Sequence, residues 1–96
     1  MLAGMPDIDS VWGRIRSHQG ADFATVTGKP FTYSVTSSEL FVTRNGTEIN
    51  RSLSRGNFEL AMNRMPAAGP GELQDLQGPS YTWAILMDSR IRQGDW

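Results

Sequence analysis

The hydrophobic residues of this chain change their spacing near residue 30, and that change limits the folds available to it. In the N-terminal part, four apolar side chains follow the i, i+3, i+4, i+7 spacing of one helix face: Ile8, Val11, Trp12 and Ile15. From Phe31 to Thr36, apolar and hydroxyl side chains alternate strictly, as they do in a half-buried strand. Helix and strand thus occupy separate parts of the chain, which predicts an α+β fold.

The N-terminal helix is predicted over residues 8–18. Asp7 can accept a hydrogen bond from a free backbone N–H of the first turn, and Gly20 favours the end of the helix. His18 then lies at the C-terminal end, where the helix dipole favours an imidazolium. This position predicts a structural role for His18, because no nucleophile motif stands beside it.

Four strands are predicted next, over residues 22–26, 31–36, 39–44 and 47–50. Between the last two, Asn45-Gly46 supplies residues that adopt positive φ readily, as a type I′ hairpin turn requires. The economical arrangement is an antiparallel meander with helices on one face. Alternation places Phe31, Tyr33 and Val35 on the covered face, and exposure of Phe31 or Tyr33 would contradict this register.

Two further helices are predicted after the strands. Ser52 or Ser54 can cap a helix whose apolar stripe begins at Phe58 and which ends before Pro66. Residues 66–79 hold several prolines and glycines and are predicted to be irregular, with two leucines fixing them to the core.

The last apolar segment allows two interpretations. Pro79 suits the start of a helix, with Ser80 as a cap. Residues 81–87 are apolar nearly all round, so they form either a buried helix or a buried strand.

The predicted fold is one compact α+β domain over residues 1–96, with an N-terminal helix, a four-stranded antiparallel meander and two C-terminal helices packed on the sheet. A chain of 96 residues, 39% of them hydrophobic, is long enough for one core and too short for two. The predicted core consists of Val11, Trp12, Ile15, Phe23, Phe31, Tyr33, Val35, Leu40, Val42, Phe58, Ala61, Met62, Ile85 and Leu86.

The composition of the chain excludes several kinds of functional site. The chain has no cysteine and one histidine, which excludes disulfides, thiolate metal sites and a cysteine nucleophile. The acidic residues are scattered, so neither a metal site nor a cofactor is predicted. No nucleophile elbow and no phosphate-binding loop are present, which favours a non-enzymatic protein. A small hydrolase or ligand-binding enzyme stays open as an alternative, and it would need a pocket with convergent polar groups. Without a signal peptide or an apolar run of membrane-spanning length, a cytoplasmic location is expected.

The most polar organised segment runs from residue 44 to residue 55. It combines arginines, amides and hydroxyls and leads into a helix N-terminus, where free N–H groups attract anions. The predicted binding residues are Arg44, Asn45, Arg51, Ser54 and Arg55. The partner would be a nucleic acid or an acidic protein surface, with Lys29 on the other hairpin tip adding charge. The same residues are also typical of an ordinary turn and helix cap, and that alternative stays open.

A second hypothesis is association through apolar surface. Trp96 either folds back over the core or provides an apolar anchor for a partner. Together with residues 66–79 it predicts a small oligomeric accessory protein, for example a homodimer.

Two blocks of the sequence resemble a small bacterial family. They are Gly20-x-x-Phe23-x-Thr25-x-x-Gly28-Lys29-x-Phe31-x-Tyr33-x-Val35 and Gly78-Pro79-Ser80-Tyr81-x-Trp83-Ala84-Ile85-Leu86-x-Asp88-x-Arg90-Ile91. The family is of actinobacterial type and consists of single-domain proteins with no established activity. The resemblance implies a bacterial protein and an association with DNA-processing functions, and it carries over no site residue.

Overall fold

The computed structural model describes residues 6–49 and 52–96. Its helices are α1 (Ile8–Ser17), α2 (Arg55–Met62), α3 (Pro79–Met87) and α4 (Ser89–Arg92), with a 3-10 helix at Pro70–Leu73. Its strands are β1 (Phe23–Ala24), β2 (Pro30–Val35), β3 (Glu39–Arg44), β4 (Thr47–Glu48) and β5 (Leu53–Ser54). The predicted α+β architecture, with its N-terminal helix, antiparallel meander and C-terminal helices, is confirmed.

Helix α1 begins where the sequence predicts. The Asp7 carboxylate accepts a hydrogen bond from the Ser10 N–H at 2.9 Å, and this contact lowers the pKa of Asp7. The residue that ends the helix is His18, whose Nδ1 donates to the carbonyl of Arg14 at 2.9 Å. Of the predicted stripe, Val11, Trp12 and Ile15 are buried, and Ile8 is half-buried at the edge of the core.

The strands form one antiparallel sheet in the order β1-β2-β3-β4, and β5 pairs with β3 beside β4. Asn45 and Gly46 both have positive φ, 53° and 76°, as the predicted hairpin turn requires. β1 and β4 are two residues long, shorter than predicted. β5 was not predicted, because two residues give no periodic signal and its pairing depends on β3.

The two-residue period of β2 and β3 assigns their side chains to the two faces of the sheet. Phe31, Tyr33, Leu40 and Val42 are buried, which confirms the predicted register. The Tyr33 hydroxyl donates to the carbonyl of Ile15 at 2.6 Å, and burial raises the pKa of that hydroxyl. This bond ties the sheet to α1 and lets a phenol lie inside the core.

Part of the open edge of β2 is covered by the chain that leaves α1. The Gly20 N–H donates to the Tyr33 carbonyl at 2.9 Å, and the Gln19 side-chain oxygen accepts from the Val35 N–H at 3.1 Å. A strand edge with satisfied backbone groups is a poor template for pairing with another chain.

Val35, the last residue of β2, is only half-buried, unlike the other predicted core residues.

Residues 81–87 are helical, which settles the alternative left open by the sequence. The residue before the first turn is Gly78, in the left-handed region at φ 47°, and Pro79 follows as the first helical residue. The expectation that Ser80 caps this helix is therefore wrong, because Ser80 already lies within the first turn.

The segment 66–79 is held against the helices by specific contacts. Leu73 is fully buried, and the Trp83 indole N–H donates to the Ala67 carbonyl at 2.9 Å. Leu76 packs at the edge of the core and stays half-buried. The core also includes residues that the prediction omitted: Leu53, Met65, Ala67, Leu73, Ala84 and Ile91.

Candidate binding surfaces

The predicted binding segment 44–55 extends along one edge of β3 instead of forming a single cluster. Arg44 is the last residue of β3, whereas Ser54 pairs with Glu39 at the first residue of that strand. Five residues of extended chain separate these two ends by about 17 Å. Arg51, another predicted binding residue, lies outside the described residues. The segment therefore divides into a hairpin tip and a helix start.

At the hairpin tip, Arg44 lies on the helix-covered side of the sheet, since it shares the parity of Val42. Its guanidinium Nη1 donates to the Tyr81 hydroxyl at 3.1 Å. A guanidinium has five N–H donors, so one bond to a neutral hydroxyl leaves its charge available to an anion. Asn45, the next residue, is exposed.

A second tip lies beside the first. The turn between β1 and β2 is closed by hydrogen bonds between Thr25 and Lys29, of 2.9 Å from the Thr25 N–H and 3.1 Å to its hydroxyl. Lys29 and Val26 are both exposed. A depression of about 300 Å³ lies between the two tips and is lined by Pro30, Asn45 and other residues of both hairpins. The sheet thus brings Lys29 and Arg44 to one end, although 15 residues of sequence separate them.

At the helix start, the predicted residues are already occupied. The Ser54 hydroxyl accepts from the Asn57 N–H at 3.0 Å, so Ser54 is the cap of α2. The Arg55 guanidinium forms an ion pair with Asp9, and the Arg55 N–H donates to the Ser38 carbonyl at 2.8 Å. These contacts are those of a helix cap and a neutralised arginine, which was the alternative that the sequence left open.

A shallow groove of about 560 Å³ runs beside α2 and is lined by Ser54, Gly56, Asn57, Glu59, Leu60, Asp75, Leu76 and Gln77. We call it the α2 groove. Leu60, one of the residues that line the groove, is 55% exposed. The groove carries acidic side chains and no basic one, so it does not suit an anion.

One of those acids is already paired. Arg64 binds Asp75 through two bonds of 2.6 and 2.7 Å, and its donated hydrogen bonds lower the pKa of Asp75 from 3.8 to about 2. Glu59 is exposed on the same groove. Glu59 is therefore the acid of the groove that is available to a basic side chain of a binding partner.

Beneath the groove lies a buried polar cluster that the sequence did not indicate. The Asn57 amide donates to the Gln77 carbonyl at 3.0 Å and to the Thr82 hydroxyl at 3.1 Å, and its oxygen accepts from the Gln77 N–H at 2.8 Å. Because its hydrogen bonds are satisfied within the protein, Asn57 joins α2 to the start of α3 and is not aimed at a ligand. No local pattern marks a partner twenty residues away.

Trp96 folds back onto the protein. Its indole N–H donates to the Leu86 carbonyl at 2.8 Å, and its ring packs at the edge of the core. Of the two sequence interpretations, the folded-back tryptophan is the one observed.

Several arginines hold distant parts of the chain together. Arg14 on α1 donates to the carbonyls of Ile91 and Arg92 at 3.0 and 3.4 Å and pairs with Asp95 at 2.6 Å. Arg90 binds Asp88 and lowers the pKa of that carboxyl.

Arg90 also contacts β1. Its Nη2 donates to the Asp22 carbonyl at 2.7 Å, and its guanidinium lies 4.1 Å from the centre of the Phe23 ring. These arginines fasten the C-terminal segment to α1 and to β1, which accounts structurally for part of the arginine content.

Within residues 6–49 and 52–96, no group of three or more metal-binding side chains comes together. Over the same ranges, no helix is both long enough and apolar enough to cross a bilayer.

Comparison with known proteins adds no assignment, since no protein-family model, curated protein or solved structure matches this chain. The resemblance to a bacterial family stays a prediction. Function is therefore argued from the surfaces described above.

Proposed function

We propose that this protein is a non-enzymatic interaction module that binds an anionic partner through its two adjacent hairpin tips. The binding residues are Lys29, Arg44 and Asn45. One observation carries the proposal: the antiparallel pairing of β1 with β2 and of β2 with β3 brings a lysine and an arginine from separate hairpins to the same end of the sheet. Two cations that share a site bind an acidic group more strongly than scattered surface charges.

The proposal refines the segment predicted from the sequence. Ser54 and Arg55 are removed from the predicted site, because Ser54 caps α2 and Arg55 is paired with Asp9. Lys29 enters because Pro30, the residue that follows it, lines the same depression as Asn45. Arg51 lies outside the described residues and takes no part in the argument.

The partner favoured by the charge distribution is an acidic protein surface. Asp22 lines the depression and Glu48 follows closely in β4, so the cations stand among acids. A long nucleic acid would also contact these acidic side chains. The net charge of −1 gives the protein no general attraction for nucleic acid. A small acidic contact can engage Lys29 and Arg44 alone.

The test is binding of a fluorescent glutamate-rich peptide and of a short DNA duplex, each measured by anisotropy at two salt concentrations. We expect the Lys29→Ala/Arg44→Ala variant to bind the peptide about tenfold more weakly. Arg16→Ala is the matched control, because Arg16 is an exposed arginine on α1 outside both tips. Equal losses in the tip variant and the control would contradict a defined site. Tighter, steeply salt-dependent binding to the duplex would replace the acidic protein by nucleic acid.

One observation supports a second function, association through apolar surface. Leu60 is exposed and Leu76 half-buried in the α2 groove, and residues 75–77 of the groove belong to the segment 66–79. Trp96 is folded back, so the groove and not Trp96 would carry such a contact.

A further inference from the structure

We propose that the β1–β2 tip of one copy of this protein docks into the α2 groove of a second copy, so that copies associate head to tail. The inference rests on the proposed function, because it uses Lys29 of the cationic site and gives that lysine an acidic surface of a second copy to contact.

The two surfaces are complementary in polarity and in charge. Val26 and Leu60 are the large hydrophobic side chains that stay exposed in the described ranges, at 56% and 55%. Lys29 closes the turn that displays Val26, and Glu59 precedes Leu60 on α2. Docking removes both apolar side chains from water and brings a lysine to a glutamate.

The groove has the form that such a tip needs. Its volume of about 560 Å³ is open to solvent, and Leu60 and Leu76 give it apolar surface. Asp75 is already paired with Arg64, which leaves the Glu59 carboxylate to receive a cation. The tip that enters is narrow, because it consists of the residues between Thr25 and Lys29, which the closing hydrogen bonds hold together.

One molecule cannot make this contact with itself. The tip follows β1 at one edge of the sheet, at the Pro30 end of β2, whereas the groove begins at Ser54 on β5, at the other edge and the other end. The two corners differ by about 17 Å along the strands and about 14 Å across them. Since the tip and the groove are different surfaces, their contact is heterologous and propagates into a ring or an open chain.

The experiment is sizing by light scattering over a range of concentrations, with two variants that each damage one surface. Val26→Asp removes the tip contact, and Leu60→Asp removes the groove contact. Both positions are exposed, so we expect both variants to fold, and circular dichroism together with Val26→Ser and Leu60→Ser checks this. The wild type should grow in mass with concentration. Each variant should associate at least about tenfold more weakly.

Mixing the two variants tests the head-to-tail geometry. The Val26→Asp protein keeps its groove and the Leu60→Asp protein keeps its tip, so an equimolar mixture should form a dimer and nothing larger. A reversed pair, Lys29→Glu mixed with Glu59→Lys, should associate more tightly than either variant alone. A wild type that stays monomeric at every concentration would overturn the proposal, and so would a variant mixture that stays monomeric.

The outcome is separable from that of the proposed function. Leu60→Asp should abolish association while the acidic peptide still binds the tips. Arg44→Ala should weaken peptide binding while association persists. If the wild type does not associate but still binds the peptide, the proposed self-association is wrong and the proposed binding of an anionic partner is retained.

Discussion

Asn57 is the residue on which the packing of α2 against α3 most depends. It is 5% exposed, and its amide group makes three hydrogen bonds, to the backbone of Gln77 and to the Thr82 hydroxyl. We expect Asn57→Ala to lower the free energy of unfolding by about 2–3 kcal/mol, because it leaves buried polar groups unpaired. Urea denaturation measures the change.

Asn63 supplies the matched control for that prediction. It is an exposed asparagine at the C-terminal end of the same helix, so Asn63→Ala should cost less than about 0.5 kcal/mol. Similar losses in the two variants would show that the buried amide bonds contribute nothing specific.

The pair of Asp75 and Arg64 predicts a dependence of stability on pH. Its hydrogen bonds lower the pKa of Asp75 from 3.8 to about 2 in the folded protein. A carboxyl whose pKa is depressed on folding contributes stability that is complete above its unfolded pKa and is lost as the pH falls. We expect the difference in unfolding free energy between wild type and Asp75→Asn to be constant above about pH 5 and to disappear between about pH 4 and pH 2.

Urea titrations at several pH values check this. In an Arg64→Gln background, which removes the donors to Asp75, the pH-dependent difference should vanish. A pH-independent difference for Asp75→Asn would mean that the carboxylate is not stabilised by Arg64.

At the scale of elements, the junction between β5 and α3 depends on Gly78. Its φ is +47°, and a Cβ added there would lie 2.7 Å from the Leu53 Cδ2 atom. Gly20 also has positive φ, +84°, but a Cβ there meets nothing within 4 Å. We expect Gly20→Ala to cost about 1 kcal/mol from backbone strain alone, and Gly78→Ala to cost about 1 kcal/mol more because the buried Leu53 must move.

A double-mutant cycle isolates that extra cost. In a Leu53→Ala background, the penalty of Gly78→Ala should fall to that of Gly20→Ala, as thermal or urea unfolding would record. An unchanged penalty would assign the whole effect to the backbone.

Elements defined by local pattern were predictable. α1 follows from one apolar stripe and the Asp7 cap, and the strict alternation after Phe31 fixed both faces of β2. The start of α3 at Pro79 was predicted as one of two alternatives, although its cap was not. β5 was not predictable, because it depends on a contact remote in sequence. Leu53 of β5 pairs with Leu40 of β3. Gly78 lies against the Leu53 side chain, in the segment to which Asn57 is hydrogen-bonded. Sequence periodicity carries no information about such contacts.

The candidate binding residues also differ in how far the sequence could predict them. Arg44 and Asn45 were predicted because a hairpin tip has a local signature, and Ser54 was predicted as either a cap or a ligand. The ion pair of Arg55 with Asp9 arises from the tertiary fold, and so does the position of Pro30, which follows Lys29, beside Asn45. Composition and spacing could not distinguish an arginine that binds a partner from one that fastens the chain.

The C-terminal segment is the element that Trp96 holds in place. Trp96→Ala removes the bond to the Leu86 carbonyl and part of the packing on the core. We expect a loss of about 1–2 kcal/mol in unfolding free energy and no change in association. Calorimetry and light scattering on the same samples check both. A large change in association at unchanged stability would return Trp96 to the interface that the sequence also suggested.

At the scale of the whole molecule, two groups of basic residues can be distinguished among those that the structure describes. Arg14, Arg64 and Arg90 are bound by acids or carbonyls of the protein itself and act in its stability. Lys29 and Arg44 stand together at one end of the sheet with few internal partners. The net charge of −1 thus includes both arginines bound within the protein and two basic side chains at one end of the sheet.

Mapping by NMR shows whether an acidic partner binds at the hairpin tips that hold Lys29 and Arg44. The backbone amide resonances are followed while a short glutamate-rich peptide is added at low salt. We predict that the shifts concentrate at residues 25–30 and 43–47 and are lost in the Lys29→Ala/Arg44→Ala variant. Shifts centred on residues 52–57, or equal shifts in the variant, would contradict the account and return the binding site to the helix start.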